Sequence, residues 1–280
     1  FTETGRIRQI IRDRAAADRL AQAVVGQPLV HAQFAFPDLK RFERELPGRR
    51  IESITARGKA LLTRFDHGWT MYSHNQLYGV WKVAAAGERP ATSRSLRVAL
   101  ETRETAILLY SASDVSMWPD EEVESHPFLR GLGPDVLDPA LKPAAVAARL
   151  ESPPFRGRAL GSLLLDQGFL AGMGNYLRAE VLFAAALHPR QRPKDLLPEQ
   201  IGDLARALLD IPRLSYSTRG IQQADGMRSD YLADTADGFR FQVFARKGQP
   251  CPACGTPIER MMAGSRRLYL CPRCQEPSGA

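Results

Sequence analysis

Four cysteines are the only ones among 280 residues, and they fall as two pairs, Cys251-Pro-Ala-Cys254 and Cys271-Pro-Arg-Cys274, sixteen residues apart. Each C-x-x-C sets two thiolates on one tight turn, and two such turns can close a tetrahedral shell of four sulfurs around Zn²⁺. Pro252 and Pro272 help to shape the turns, and Gly255 follows the first. The other reading is two disulfides or four unrelated thiols. No secretory signal is present and no cysteine lies outside the pairs, which favours zinc. A closed Cys₄ site keeps no open coordination position, so one such ion holds a fold together and does no chemistry.

The chain between the pairs is basic. From Arg246 to Cys274 the charges are Arg246, Lys247, Arg260, Arg266, Arg267 and Arg273 against one acid, Glu259. Residues 260–270 read as a hairpin, with Gly264-Ser265 at the turn and Arg266 at or just past the tip. A rigid basic hairpin suits a DNA backbone or groove; a solvated ribbon surface is the alternative. The net charge of +7 and pI near 9.5 agree with a polyanionic partner without identifying one. No apolar run approaches the roughly 20 residues that span a bilayer; the expected compartment is the cytosol, or wherever the genome lies.

Periodicity divides the rest. Residues 5–25 have a helical period through Ile7, Ile10, Ile11, Arg14, Ala17, Ala21 and Val24. Short alternating or β-branched runs follow at Arg50–Ala56, Ala60–Phe65, Thr70–His74, Gly79–Val83, Ser95–Leu100 and Thr105–Ser111, with a hairpin turn at Asp66-His-Gly68. These predict a β-rich domain with a leading helix over residues 1–130. A helical domain is expected over 131–245. Pro139–Leu150 reads as a linker or short helix. One helix runs through Leu160, Leu163, Leu164 and Phe169, a second from Asn175 to Ala186, and a third follows Pro198-Glu199 with Ile201, Leu204, Ala205, Leu208 and Leu209 on one face. Residues 220–238 read as a long loop, and 246–280 as the zinc module.

Three further segments carry chemistry. Arg57-Gly58-Lys59 sits between two strands, so Lys59 projects from a turn, either as a point charge for a phosphate or as an ordinary solvated lysine. Ser73-His-Asn-Gln76-Leu77-Tyr78-Gly79 joins two strands and presents an amide, an aliphatic and an aromatic side chain in succession. Such a triplet can wedge between bases and replace a lost pairing partner; equally, Leu77 and Tyr78 could be core beside a turn. In Ala171-Gly-Met-Gly-Asn175-Tyr-Leu-Arg, glycines allow close backbone approach and a helix start offers N–H groups to an anion such as phosphate. Asn175 is then an anion ligand, an N-cap, or both.

Taken in order, Arg-Gly-Lys-Ala-Leu-Leu, Tyr-Ser-His-Asn-Gln-Leu-Tyr-Gly-Val-Trp, Leu-Leu-Tyr-Ser-Ala-Ser-Asp, Leu-Leu-Leu-Asp-Gln-Gly-Phe-Leu-Ala-Gly-Met-Gly-Asn-Tyr-Leu-Arg, Ser-Tyr-Ser-Thr-Arg-Gly and the terminal Cys₄ ribbon resemble the formamidopyrimidine-DNA glycosylase/endonuclease VIII family from about Ala16 to Gln275. The resemblance implies an α+β multidomain protein: an N-terminal β-sandwich with leading helix, a helix–two-turns–helix domain and a zinc-ribbon hairpin. It implies a monomeric base-excision repair enzyme, a glycosylase/AP lyase that excises oxidised pyrimidines from duplex DNA and then cleaves the strand by β,δ-elimination, with damaged or abasic DNA as partner and no membrane. Lys59 matches the family's catalytic-site lysine, Gln76, Leu77 and Tyr78 the void-filling triplet, Asn175 the phosphate-binding asparagine, Arg266 the zinc-finger arginine, and Cys251, Cys254, Cys271 and Cys274 the metal ligands.

One position departs. Family members begin Pro-Glu, whose proline amine attacks C1′ of the damaged nucleotide. Counting back from Ala16-Ala-Asp-Arg-Leu20 puts Arg8 and Gln9 there, and the first proline is Pro28. Either the nucleophile has been lost, or the first residues given are not the natural ones. A non-catalytic binder of damaged DNA is therefore the rival expectation. A generic zinc-ribbon module would leave the 76–78 and 172–175 segments unexplained.

Overall fold

The structure, a computed structural model, describes residues 9–75, 78–218 and 239–276. Two compact units emerge, one from Arg12 to Arg130 and one from Gly131 onward.

The first unit opens within α1 (Gln9–Val24), in which Ala16, Ala17, Leu20 and Val24 are buried at helical spacing. Gly26, at φ +78°, follows its end. Then come β1 (His31–Phe34), α2 (Phe42–Glu45), β2 (Ile51–Arg57), β3 (Ala60–Phe65), β4 (Trp69–His74), β5 (Val80–Ala85), β6 (Leu96–Glu101), β7 (Thr105–Tyr110), β8 (Asp114–Pro119) and the short α3 (Pro127–Arg130). Two antiparallel sheets form, ordered β1-β6-β7-β5 and β2-β3-β4-β8. Phe34, Val98, Leu100, Ile107 and Leu109 of the first sheet share a core with Ile54, Leu61, Phe65 and Met71 of the second, and with Leu20 and Val24 of α1. This is the expected sandwich.

Two strands escaped the sequence reading. In β8 all six residues are half-buried, so no alternation marks it, and Pro119 ends it. The four-residue β1 alternates exposed and buried, but over too short a run to stand out.

The second unit contains α4 (Pro143–Glu151), α5 (Leu160–Leu163), α6 (Asn175–Ala184), α7 (Pro198–Ser217) and the hairpin β9 (Glu259–Ala263) with β10 (Arg266–Leu270). The stretch that read as linker or short helix is α4, which buries Val146 and Leu150. The helix expected through Phe169 is a single turn. The Asp166 carboxylate accepts the Gly168 N–H at 2.8 Å and turns the chain, while Phe169 still reaches the core. The α6 helix stops at Ala184, and Ala186, expected inside it, stands at φ +52°. All five residues expected on the inner face of α7 are buried, and its Gln200 side chain accepts the Leu197 N–H at 2.9 Å. Leu204 and Leu208 of α7, Leu177 and Leu182 of α6, and Leu268, Leu270 and Cys271 of the hairpin belong to one core. The loop expected over 220–238 lies outside the described residues.

Candidate functional site

The four cysteine sulfurs converge within 4.8 Å of one another, with Cys251–Cys274 at 3.9 Å and Cys254–Cys271 at 3.5 Å. A tetrahedral ion with Zn–S bonds of about 2.3 Å needs sulfurs about 3.8 Å apart. The donor set therefore fits Zn²⁺, and no fifth His, Cys, Asp or Glu joins the group among the described residues. Local backbone builds each turn. Gly255, at φ +75°, donates its N–H to Cys251 O at 2.9 Å, and the Cys274 N–H reaches Cys271 Sγ at 3.4 Å. Behind the second turn lies Gln275, fully buried: its Oε1 accepts the Cys271 N–H at 2.9 Å and its Nε2 donates to Leu187 O at 2.9 Å. The ion would be structural, holding β9 and β10 on the helical core.

At the start of α6 the glycine-rich loop gives way to helix. Gly172 stands at φ +100°, Gly174 is the N-cap, and Asn175 is the first helical residue, which removes the N-cap reading of Asn175. The first intrahelical bond runs from Arg178 N to Gly174 O, so the N–H groups of Asn175, Tyr176 and Leu177 precede it. Asn175 Nδ2 donates to Arg267 O at 2.9 Å, and its Oδ1 accepts from Arg178 Nη2 at 2.6 Å. Among the described residues the second Nδ2 hydrogen has no partner, which leaves it for an anion.

Arg178 carried no role in the sequence reading, although it lies three residues after Asn175 and so on the same face. The structure buries it completely. Its guanidinium donates to Gly161 O at 2.6 Å, Asn175 Oδ1 at 2.6 Å and Arg267 O at 3.2 Å, all neutral oxygens. Burial, with the charge of Arg266 beside it, lowers its pKa to about 10, so it remains a cation at neutral pH. A buried cation next to the positive end of a helix creates a place for an anion. Arg266 is exposed and opens β10 directly after the Gly264-Ser265 turn, where Gly264 has φ +65°.

In the first unit, β2 and β3 pair as far as Arg57 and Ala60, leaving Gly58 and Lys59 as a two-residue turn with Gly58 at φ +59°. Positive φ at the first central residue matches a type II′ hairpin turn, which follows the strand twist. Lys59 stands half-exposed at that tip; its neighbour Arg57 forms a two-pronged ion pair with Glu124 at 2.8 and 3.1 Å. Next to the turn, His74 opposes Ala60 on one side and Asp114 on the other. Burial depresses the His74 pKa; Asp114 pulls it up and Lys59 pushes it down, so the ring stays neutral at physiological pH. The Phe128 ring meets His74 edge-on at 5.0 Å, and His126 stacks on Tyr72 at 3.8 Å. Sequence reasoning passed over His74 because the strand pattern accounted for it, and over Asp114 because its strand, β8, shows no alternation.

The loop after β4 crosses to the other sheet. Gly79 N–H donates to Asn75 O at 2.7 Å, and a Cβ on Gly79 would stand 2.6 Å from Asn75 backbone, so this closure requires glycine. Within the loop, Gln76 and Leu77 lie outside the described residues. Tyr78 is 61% exposed, and its carbonyl accepts from Arg94 at 2.5 Å. The core reading of Tyr78 is thereby excluded.

Three family models match the chain: the formamidopyrimidine-DNA glycosylase N-terminal domain over residues 2–113, the formamidopyrimidine-DNA glycosylase H2TH domain over 132–224, and a zinc finger found in FPG and IleRS over 248–277. An endonuclease 8 of Escherichia coli is 52% identical over 262 residues, 94% of this chain and 97% of its own length. An endonuclease 8 of Enterobacter sp. (strain 638) is 53% identical over 263 residues, again 94% and 97%. Among solved structures, a Lactococcus lactis Fpg bound to DNA containing N7-benzyl-Fapy-dG superposes with a TM-score of 0.79 at 20% identity, covering 95% of this chain and 98% of that one. Another, a complex of the same protein with DNA containing an abasic site, gives 0.80 at 19% identity, covering 96% and 99%.

Proposed function

Because the chain belongs to the formamidopyrimidine-DNA glycosylase/endonuclease 8 family, we propose that it excises oxidised pyrimidines from duplex DNA and opens the strand at the abasic site by β,δ-elimination. The observation that carries this reading is the α6 start, where Asn175 and buried Arg178 are tied to the zinc hairpin through Arg267 O. A phosphate at that helix end would meet backbone N–H groups, the second Asn175 Nδ2 hydrogen and the field of Arg178, with Arg266 on the same hairpin. In this reading Lys59 takes a phosphate near the reacting nucleotide. Gln76, Leu77 and Tyr78 fill the space that an everted nucleotide leaves, and the exposure of Tyr78 supports its share in that role.

A non-catalytic reading draws on Arg8 and Gln9, which stand where relatives carry Pro-Glu. An internal peptide nitrogen has no lone pair for attack on C1′, whereas a terminal amine with a pKa of roughly 8 is partly unprotonated at neutral pH. Borohydride trapping on abasic and thymine-glycol duplexes separates the readings. It would compare the polypeptide as its sequence stands with one lacking residues 1–7 and carrying Arg8→Pro and Gln9→Glu. Both should prefer a tetrahydrofuran-containing duplex over an intact one, and the Pro-Glu form should trap covalently far more efficiently. Trapping by neither would leave the binder. No preference for the tetrahydrofuran duplex by either would overturn lesion recognition altogether.

A further inference from the structure

The register of the zinc hairpin sorts its side chains onto two faces. The pairs Met261–Leu268 and Glu259–Leu270 share one face, whose Leu268 and Leu270 are buried in the core. Met262–Arg267 and Arg260–Tyr269 share the other. At the base of that second face Tyr269 is covered by the Phe244 ring, with centroids 5.1 Å apart. Toward the tip, Met262 is 58% exposed between exposed Arg260 and Arg267.

Folding gains little from an apolar side chain left so open. Scattered surface methionines need no explanation, but this one occupies a rigid strand amid arginines. The strand opposite it is pinned, because Arg267 O accepts from both Asn175 and Arg178. Met262 is thus fixed in register with the helix end that offers an anion site. Cations flanking an apolar group complement the edge of a nucleic acid, where phosphates alternate with the apolar faces of deoxyribose.

We infer that Met262 is an apolar contact to the deoxyribose backbone of bound duplex DNA, seated between phosphates taken by Arg260 and Arg267. The inference rests on the DNA binding proposed above and adds to it a residue that grips without charge.

The test is the affinity for a tetrahydrofuran-containing duplex, measured across a salt series, for the parent and for Met262→Leu, Met262→Ala, Met262→Gln and Arg267→Ala. Met262→Leu should bind as the parent does. Met262→Ala and Met262→Gln should bind about tenfold more weakly with an unchanged salt slope, since no phosphate contact is lost. Arg267→Ala should lower the slope by about one. One zinc per chain in every variant verifies that the hairpin is folded. If the parent binds and both Met262→Ala and Met262→Gln match it, the inference falls while the proposed function stands. If the parent binds no duplex, both fall.

Discussion

Lys59 owes its place to the residue before it. Gly58 adopts φ +59°, a conformation that costs other residues about 1–2 kcal/mol, and so turns the chain in two residues with the lysine at the tip. Lys59→Ala leaves that glycine untouched and should keep the sandwich intact. On an abasic duplex it should flatten the dependence of log affinity on log salt by about one unit, the signature of one lost phosphate contact. An unchanged slope would remove Lys59 from the DNA-contacting set. At this scale sequence and structure differ in a consistent way. The place of Lys59 in a turn was legible because strands flank it on both sides, whereas Tyr78 stayed open between wedge and core until its exposure was seen. Arg178 was not legible, because an arginine on a helix reads as solvent-facing until the structure shows it sealed against three oxygens.

Among elements, the zinc hairpin was the most legible, since four cysteines at fixed spacing leave few alternatives. The register of β9 on β10 was less so: Leu268, Tyr269 and Leu270 are consecutive and all buried, so no alternation fixes which face is inward. The strands Ala60–Phe65 and Thr105–Tyr110 were visible from β-branched and aliphatic runs. The α5 helix was over-extended because helical spacing through Phe169 survives a turn that Asp166 and Gly168 impose by hydrogen bonding. Removing one ligand tests the metal centre. Cys271→Ser should release the ion and weaken DNA binding, because β10 carries Arg266 and provides the carbonyl that Asn175 and Arg178 hold. Metal analysis alongside the binding assay checks both halves. A variant that keeps stoichiometric zinc, or a parent purified with disulfides, would contradict the assignment.

At the scale of the molecule, part of the positive charge that composition recorded has an address. Arg266, Arg267 and Arg260 line an exposed hairpin, and Arg178 lies beneath it. The core of the second unit has a further consequence. Leu268 and Leu270, beside the metal ligand Cys271, pack in the same apolar cluster as Leu177 of α6 and Leu204 of α7. A hairpin fused to its neighbours in this way cannot melt privately. In a calorimeter the zinc ribbon and helices 4–7 should therefore give one shared heat-absorption peak, and a chelator should shift that whole peak to lower temperature. A separate low-temperature shoulder that alone responds to chelation would show the ribbon to be thermodynamically independent. If the peak is shared, the ion acts at a distance. Occupancy of four sulfurs at the end of the chain would set the thermal ceiling of the helix whose first turn faces the proposed phosphate.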